Sequence, residues 1–293
     1  MGPVNDSPCI LLVDNGSHRA ESTLSLRHMA DALGGHVGAD VHPVSLLHST
    51  KVDPAELGGA PAQIFEPFLR ARQEEDRHSF VVVPFFFGHS AAIYEYLPQR
   101  VREMKRSWPE LEVRVASSMV KLDESDDTRV ARILGDLVVR KTKEEDLEKP
   151  AVILVDHGTP RVAVNRVRNH VAAQLRAVLG DRVATVEASS MERRAGAEYD
   201  FNEPLLEDLL GREGFDREVV LAMLFISPGR HAGPGGDIAR ICEAAEVRCP
   251  GLRTYGSDLF STHPGVIDLL AQRCEEGLAS ESVQGEIAAP GVE

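Results

Sequence analysis

The chain has 293 residues, 43% of them apolar and 27% charged, the balance of a globular protein with a full core. Its formal net charge of −14 argues against broad binding to nucleic acid or to an anionic membrane. No apolar run approaches the ~20 residues that a bilayer-crossing helix needs. The opening "MGPVNDSPCILLVD" lacks the basic flank and long apolar stretch of a signal peptide. Cys9, Cys242, Cys249 and Cys274 form no C-x2-C pair, so no disulfide framework, structural zinc or iron–sulfur cluster is indicated and a cytoplasmic setting is expected.

Along the chain, short apolar runs alternate with longer amphipathic segments. Strands are expected at Cys9–Val13, Val41–Leu46, Phe80–Phe87 and Glu112–Ala116. Helices are expected near Ser22–Leu33, Pro61–Glu75, Ala91–Lys105 and Asp126–Arg140. The unbroken "FVVVPFFF" (80–87) suits a parallel sheet covered on both faces, while Pro84 inside it removes a ladder donor and suggests an edge or a bulge. "KTKEEDLEKP" (141–150) then reads as a fraying helix end and linker. The order repeats with strands at Ala151–Val155, Arg182–Ala188, Glu218–Phe225 and Arg253–Tyr255. The final "ASESVQGEIAAPGVE" (279–293) reads as a disordered tail.

The repetition extends to the residues themselves. "ILLVDNGSHR" (10–19) matches "VILVDHGTPR" (152–161) at an offset of 142, and "VSLLHS" (44–49) matches "ASSMER" (188–193) at 144. "VVVPFFFG" (81–88) matches "VVLAMLFI" (219–226) at 138, and "WPELEVRVASS" (108–118) matches "CPGLRTYGSDL" (249–259) at 141. Four ordered matches at nearly constant offset predict one duplication, not an array. The expected fold class is therefore α/β, with two tandem doubly wound parallel-sheet domains. Their expected bounds are 1–143 and 151–278, joined by a linker at 144–150. In such sheets, ligands collect at the carboxyl ends of the strands.

Three second-half loops leave strand ends: "DHGTPR" (156–161), "SSMERR" (189–194) and "SPGRHAGPGGD" (227–237). They bring His157, Glu192 and His231 to one sheet edge, with Arg161, Arg193, Arg194 and Arg230 beside them. Two neutral imidazoles and a carboxylate can bind a first-row divalent metal or accept protons near neutral pH. A histidine after a strand is commonly just packed or solvated; the matched placement of two raises the functional reading. All 14 basic residues after Pro150 are arginine, a residue suited to bidentate carboxylate capture. The glycines around Gly229 are not followed by the lysine of a P-loop, and no G-x-S-x-G nucleophile elbow is present.

These loops carry a family resemblance. "VDHGTPR", followed by "LFISPGRHAGPGGDI", resembles the class II tetrapyrrole chelatases, the sirohydrochlorin cobalto- and ferrochelatases. The resemblance spans roughly residues 8–278 and is specific in the second half. It implies insertion of Co²⁺ or Fe²⁺, as substrate, into sirohydrochlorin held in a cleft between two similar domains, with no prosthetic group. It assigns His157 and His231 to the metal and the pyrrole protons, and Glu192 to auxiliary acid–base work. Arg161, Arg193, Arg194, Arg230, Gly229 and Asn15 would bind the substrate. A monomer with two pseudo-symmetric domains is expected. Thr159 in place of the usual serine, and the longer spacing from His231 to Asp237, depart from the pattern.

In the first half, Asn15 is expected at the His157 position, His48 at the Glu192 position and Ala92 at the His231 position. That half would be a wall without chemistry, unless His18 and His89 make a displaced pair. Two other readings stand beside the chelatase: a non-catalytic tetrapyrrole- or metal-binding protein, and a phosphate-ester hydrolase using His231 and the glycine-rich loop.

Overall fold

The computed structural model describes residues 7–88, 90–233 and 235–283. The first half runs β1 (Cys9–Asp14), α1 (Ala20–Val37), β2 (Val41–Ser45), α2 (Phe65–Gln73), β3 (Ser79–Pro84), α3 (Leu97–Lys105), β4 (Glu112–Val115) and α4 (Arg129–Glu144). The second half runs β5 (Ala151–Asp156), α5 (Val162–Leu179), β6 (Thr185–Ser190), α6 (Leu206–Leu209), β7 (Glu218–Met223), α7 (Asp237–Arg248), β8 (Arg253–Gly256) and α8 (Gly265–Ala279).

Among the described residues, two four-stranded sheets form, in the orders β2-β1-β3-β4 and β6-β5-β7-β8. Every strand pair is parallel. The central strands β1 and β5 each bury five consecutive residues before a partly exposed aspartate. That is the pattern of strands covered on both faces. Pro43 lies in the edge strand β2, where a missing donor costs little. Pro84 corrects an expectation. It sits in an interior strand rather than at an edge, but as the last residue of β3, opposite Val13. "FFF" (85–87) therefore leaves the sheet.

The chain divides into two compact units that do not follow the sequential halves. Unit 1 comprises Met1–Asp123 and Ile267–Glu293; unit 2 comprises Glu124–Val266. The expected bounds 1–143 and 151–278 therefore shift at both ends. The cause is where two helices bury their apolar faces. Val130, Ile133, Leu134, Leu137 and Val138 of α4 are buried, and α4 packs on α5 and β7 of unit 2. Most of α8 belongs to unit 1, held by a fully buried Arg273 that donates to the carbonyls of Ser118 (3.0 Å) and Met119 (2.9 Å).

The expected 144–150 linker starts at the last residue of α4 and leads directly into β5. The expected disordered tail is placed over its first residues. Val283 is buried and donates to Val113 O at 2.7 Å, and Ser282 forms an antiparallel bridge with Arg114. Residues 284–293 of that expectation lie outside the described residues. Among the described residues no helix is long and apolar enough to cross a membrane.

Candidate metal-handling site

The site lies at the carboxyl edge of the unit 2 sheet. β5 delivers His157, β6 delivers Glu192 and the loop after β7 delivers His231. The rings of His157 and His231 meet edge to face, with centroids 4.4 Å apart and planes at 70°. His157 Nε2 lies 3.5 Å from Glu192 Oε1. The three residues picked from sequence are therefore one cluster, half-open to solvent.

Each ring has a defined tautomer. His157 Nδ1 is 3.0 Å from the Gly158 carbonyl, which can only accept, so Nδ1 carries the proton and Nε2 the lone pair. His231 Nδ1 is 2.7 Å from Asp237 Oδ2, which fixes the same tautomer. This hydrogen bond holds the Asp237 carboxyl below the usual carboxylate range, with Arg230, His231 and Arg240 adding to it. Carboxylate, imidazole and a bare Nε2 form the outer and inner shells of many metal-binding histidines. The Nε2 lone pair of His157 faces a carboxylate oxygen, an arrangement that a cation or a proton would bridge.

A buried network sets the His157 loop. Asp156 Oδ1 accepts from Gly158 N (3.1 Å) and from Ser190 Oγ (2.6 Å). Burial pushes its carboxyl above the usual range, opposed by the Ser190 hydroxyl and the Arg168 charge. Arg168, 2% exposed, donates to Ser190 Oγ (2.7 Å), Asn202 O (2.6 Å) and Phe201 O (3.3 Å). Fully buried Asn202 then grips Thr159 on both sides, accepting from its N–H at 3.0 Å and donating to its carbonyl at 2.9 Å. Gly158 makes this possible: at φ 90 a Cβ would fall 1.9 Å from the Glu192 carbonyl oxygen. Only glycine lets the two loops touch.

Sequence reasoning missed Arg168, Asn202 and Ser190. One signal was available: Arg168 interrupts the apolar stripe Val167, Val171, Ala172, Leu175 of α5, and an arginine there must find partners.

The arginines chosen as substrate ligands fare unequally. Arg230 is open, its side chain 75% exposed and Nε 3.6 Å from Asp237. Arg193 is occupied by Glu203 (2.9 Å) and Asp200 (3.3 Å). Arg194 lies over the Tyr199 ring at 6.0 Å. Arg161 is exposed beside the His157 loop, its N–H on Thr159 Oγ1. Gly229 donates to Ala232 O within the His231 loop. Exposed Arg240, not anticipated, joins Asp237 at 3.1 Å.

Unit 1 builds the same loop contact without the chemistry. Ser45 stands opposite Asp14 as Ser190 stands opposite Asp156, an offset of 145. Leu47 N donates to Asn15 O just as Glu192 N donates to His157 O. Leu47, not His48, thus holds the Glu192 position, and His48 holds that of Arg193. The expected one-residue register for this loop is corrected accordingly. Helix α1 and helix α5 each have 18 residues at an offset of 142, which puts Leu26 where unit 2 has Arg168. Asn15 is exposed, and Ala92 begins a π-helical turn, Ala92–Tyr96. Of the expected displaced pair, His89 lies outside the described residues, and His18 stacks instead on His48.

The family model CbiX matches residues 151–277, the stretch that carries all three residues of the cluster. That match is confined to the second half of the chain. Solved chelatases share the fold over nearly the whole length. SirB from Bacillus subtilis with Fe3+ aligns at TM-score 0.67 and 16% identity, covering 93% of this chain and 96% of its own. SirB from Bacillus subtilis subspecies spizizenii, in complex with cobalt, aligns at TM-score 0.62 and 16% identity, covering 95% and 100%. CbiX, described as the terminal enzyme of siroheme biosynthesis in denitrifying bacteria, aligns at TM-score 0.55 and 13% identity, covering 92% and 98%. No curated protein matches this chain. The duplicated α/β fold is thus shared with these solved chelatases, and in this chain the His157–His231 pair lies in the second half.

Proposed function

We propose that the chain inserts a divalent metal ion, Co²⁺ or Fe²⁺, into sirohydrochlorin, and that His157, His231 and Glu192 carry the reaction. The observation that supports this best is the pair of bare Nε2 atoms, one beside a carboxylate, at the strand ends of a CbiX domain. Insertion must strip water from the metal and remove two pyrrole protons. His157 and His231 hold the ion and take protons in turn, and Glu192 relays them to solvent. Asp237 holds the His231 ring in place by accepting its Nδ1–H. The polycarboxylate substrate is met by arginine: Arg230 and Arg161 bind it directly, with Arg194 at the rim. Arg193 is already neutralised by Asp200 and Glu203, so its part is to brace the 193–203 loop.

Imidazole and carboxylate suit cobalt and ferrous iron alike, so the donor set is compatible with a cobalamin or a siroheme route. The test is anaerobic incubation of the protein with sirohydrochlorin and each metal, following the absorption change on metallation. Incorporation well above the uncatalysed rate is expected with at least one metal. Tetrapyrrole binding without any acceleration would overturn the enzyme reading in favour of a binding protein, a reading to which the unequipped first half lends weight.

A further inference from the structure

We propose that unit 1 carries a second divalent-metal site, formed by His18 and His48, that is not a relic of the insertion centre. The two rings lie 5.4 Å apart between centroids with planes at 29°. Two imidazoles sharing one ion through bonds of about 2.0–2.1 Å at a near-tetrahedral angle keep their centres roughly 5 Å apart. The centroid spacing of the stacked pair is thus compatible with a shared ion once the rings turn their nitrogens to it, and both residues are exposed, leaving the remaining positions to water. Imidazole selects first-row transition ions over magnesium or calcium.

The pairing is built by the backbone. Gly16, at φ 84, packs so tightly that a Cβ would sit 1.7 Å from Leu47 O. Leu47 N donates to Asn15 O (3.1 Å), Ser17 N to Ser49 Oγ (3.1 Å), and Ser49 Oγ to Ser45 Oγ (3.0 Å). The loop after β1 and the loop after β2 are thus laced together by the residues on either side of His48. His48 is itself held at φ 66 and ψ −38, a backbone state that costs a non-glycine residue of order 1–3 kcal/mol and clusters at functional positions. By register, His18 and His48 correspond to Pro160 and Arg193 of unit 2, neither of which belongs to the insertion cluster. The site therefore draws on the first two strand-end loops, whereas the insertion centre pairs its histidines from the first and third.

The readout is Co²⁺ binding alone, without tetrapyrrole, to full-length protein carrying His157→Ala and His231→Ala. That background removes the other histidine pair, and insertion activity plays no part in the measurement. The expected result is one Co²⁺ per chain by calorimetry, with paramagnetic broadening of the His18 and His48 ring resonances before those of other surface histidines such as His36. Adding His18→Gln or His48→Asn should weaken binding by at least ~10-fold, since even the loss of an outer partner costs about that much. Asparagine is chosen because it tolerates positive φ, so the loop keeps its shape. Broadening spread evenly over the surface histidines, or affinity unmoved by either substitution, would overturn the proposal. Neither outcome would touch the His157–His231 reading.

Discussion

Arg168 donates to Ser190, Ser190 donates to Asp156, and Asp156 accepts from the N–H of Gly158. The orientation of His157 therefore depends on a side chain one layer below it. Arg168→Lys keeps the charge but loses the fork that spans a hydroxyl and two carbonyls at once. We expect it to lower kcat by at least ~10-fold with little change in KM, the mark of an interaction needed for the chemical step. A rise in KM at unchanged kcat would contradict that role. In unit 1, Asp14 has no arginine beneath it, because Leu26 stands there. Burial pushes its carboxyl up to about 6, against the help of Ser45 and the Gly16 N–H. A folded-state value raised above the unfolded 3.8 means that stability is fully present below pH ~4 and falls as pH rises through about 6. Asp14→Asn should then raise stability at pH 7.5 by about 1–3 kcal/mol and change little at pH 4. Urea midpoints at the two pH values check this; equal effects at both would contradict it.

At the scale of elements, strands were legible in the sequence because parallel strands covered on both faces must be continuously apolar. The strand-end loops carrying His157, Glu192 and His231 followed from that pattern. The helices that complete each unit were not legible. The apolar stripe of α4 shows that it is buried but not against which sheet, since that is settled by packing across the chain. The loop after β2 was misread by one residue because its offset from the repeat is 145 rather than 144, and a shift of one exchanges Leu47 for His48. Arg168 escaped for a different reason: one arginine among valines resembles an exposed position until its partners are placed. The exchange of helices leads to a prediction about folding. A fragment of residues 151–293 lacks α4, whose buried Val130, Ile133, Leu134, Leu137 and Val138 are worth about 1.5–3 kcal/mol each. That loss is comparable with the whole stability of a domain. The fragment should fail to show a cooperative thermal transition, whereas a fragment restoring residues 124–150 to unit 2 should recover one. Cooperative unfolding of the shorter piece would count against the packing assigned to α4.

Across the whole molecule, one plan occurs twice, and the residues proposed for insertion lie in unit 2. Both units place a glycine-hinged loop against the end of their second strand. Among the described residues, only unit 2 puts imidazole, carboxylate and imidazole there; unit 1 has Asn15, Leu47 and Ala92. Asn15→Ala should accordingly leave kcat for insertion unchanged, with at most a modest rise in KM. The net charge of −14 repels a polyanionic substrate at long range, but its reach is limited to the ~8 Å Debye length at physiological salt. Within that distance the arginines around the His157–His231 pair would decide the binding of the proposed substrate. The His157–His231 pair is proposed to perform the insertion. The most direct test of this is the anaerobic rate of Co²⁺ insertion into sirohydrochlorin by the wild type, His157→Ala and His231→Ala, each checked for an unchanged fold by circular dichroism. A fall of at least ~10²-fold in each variant, in line with the loss of an acid–base group, is the predicted result. A near-wild-type rate in either variant would contradict it.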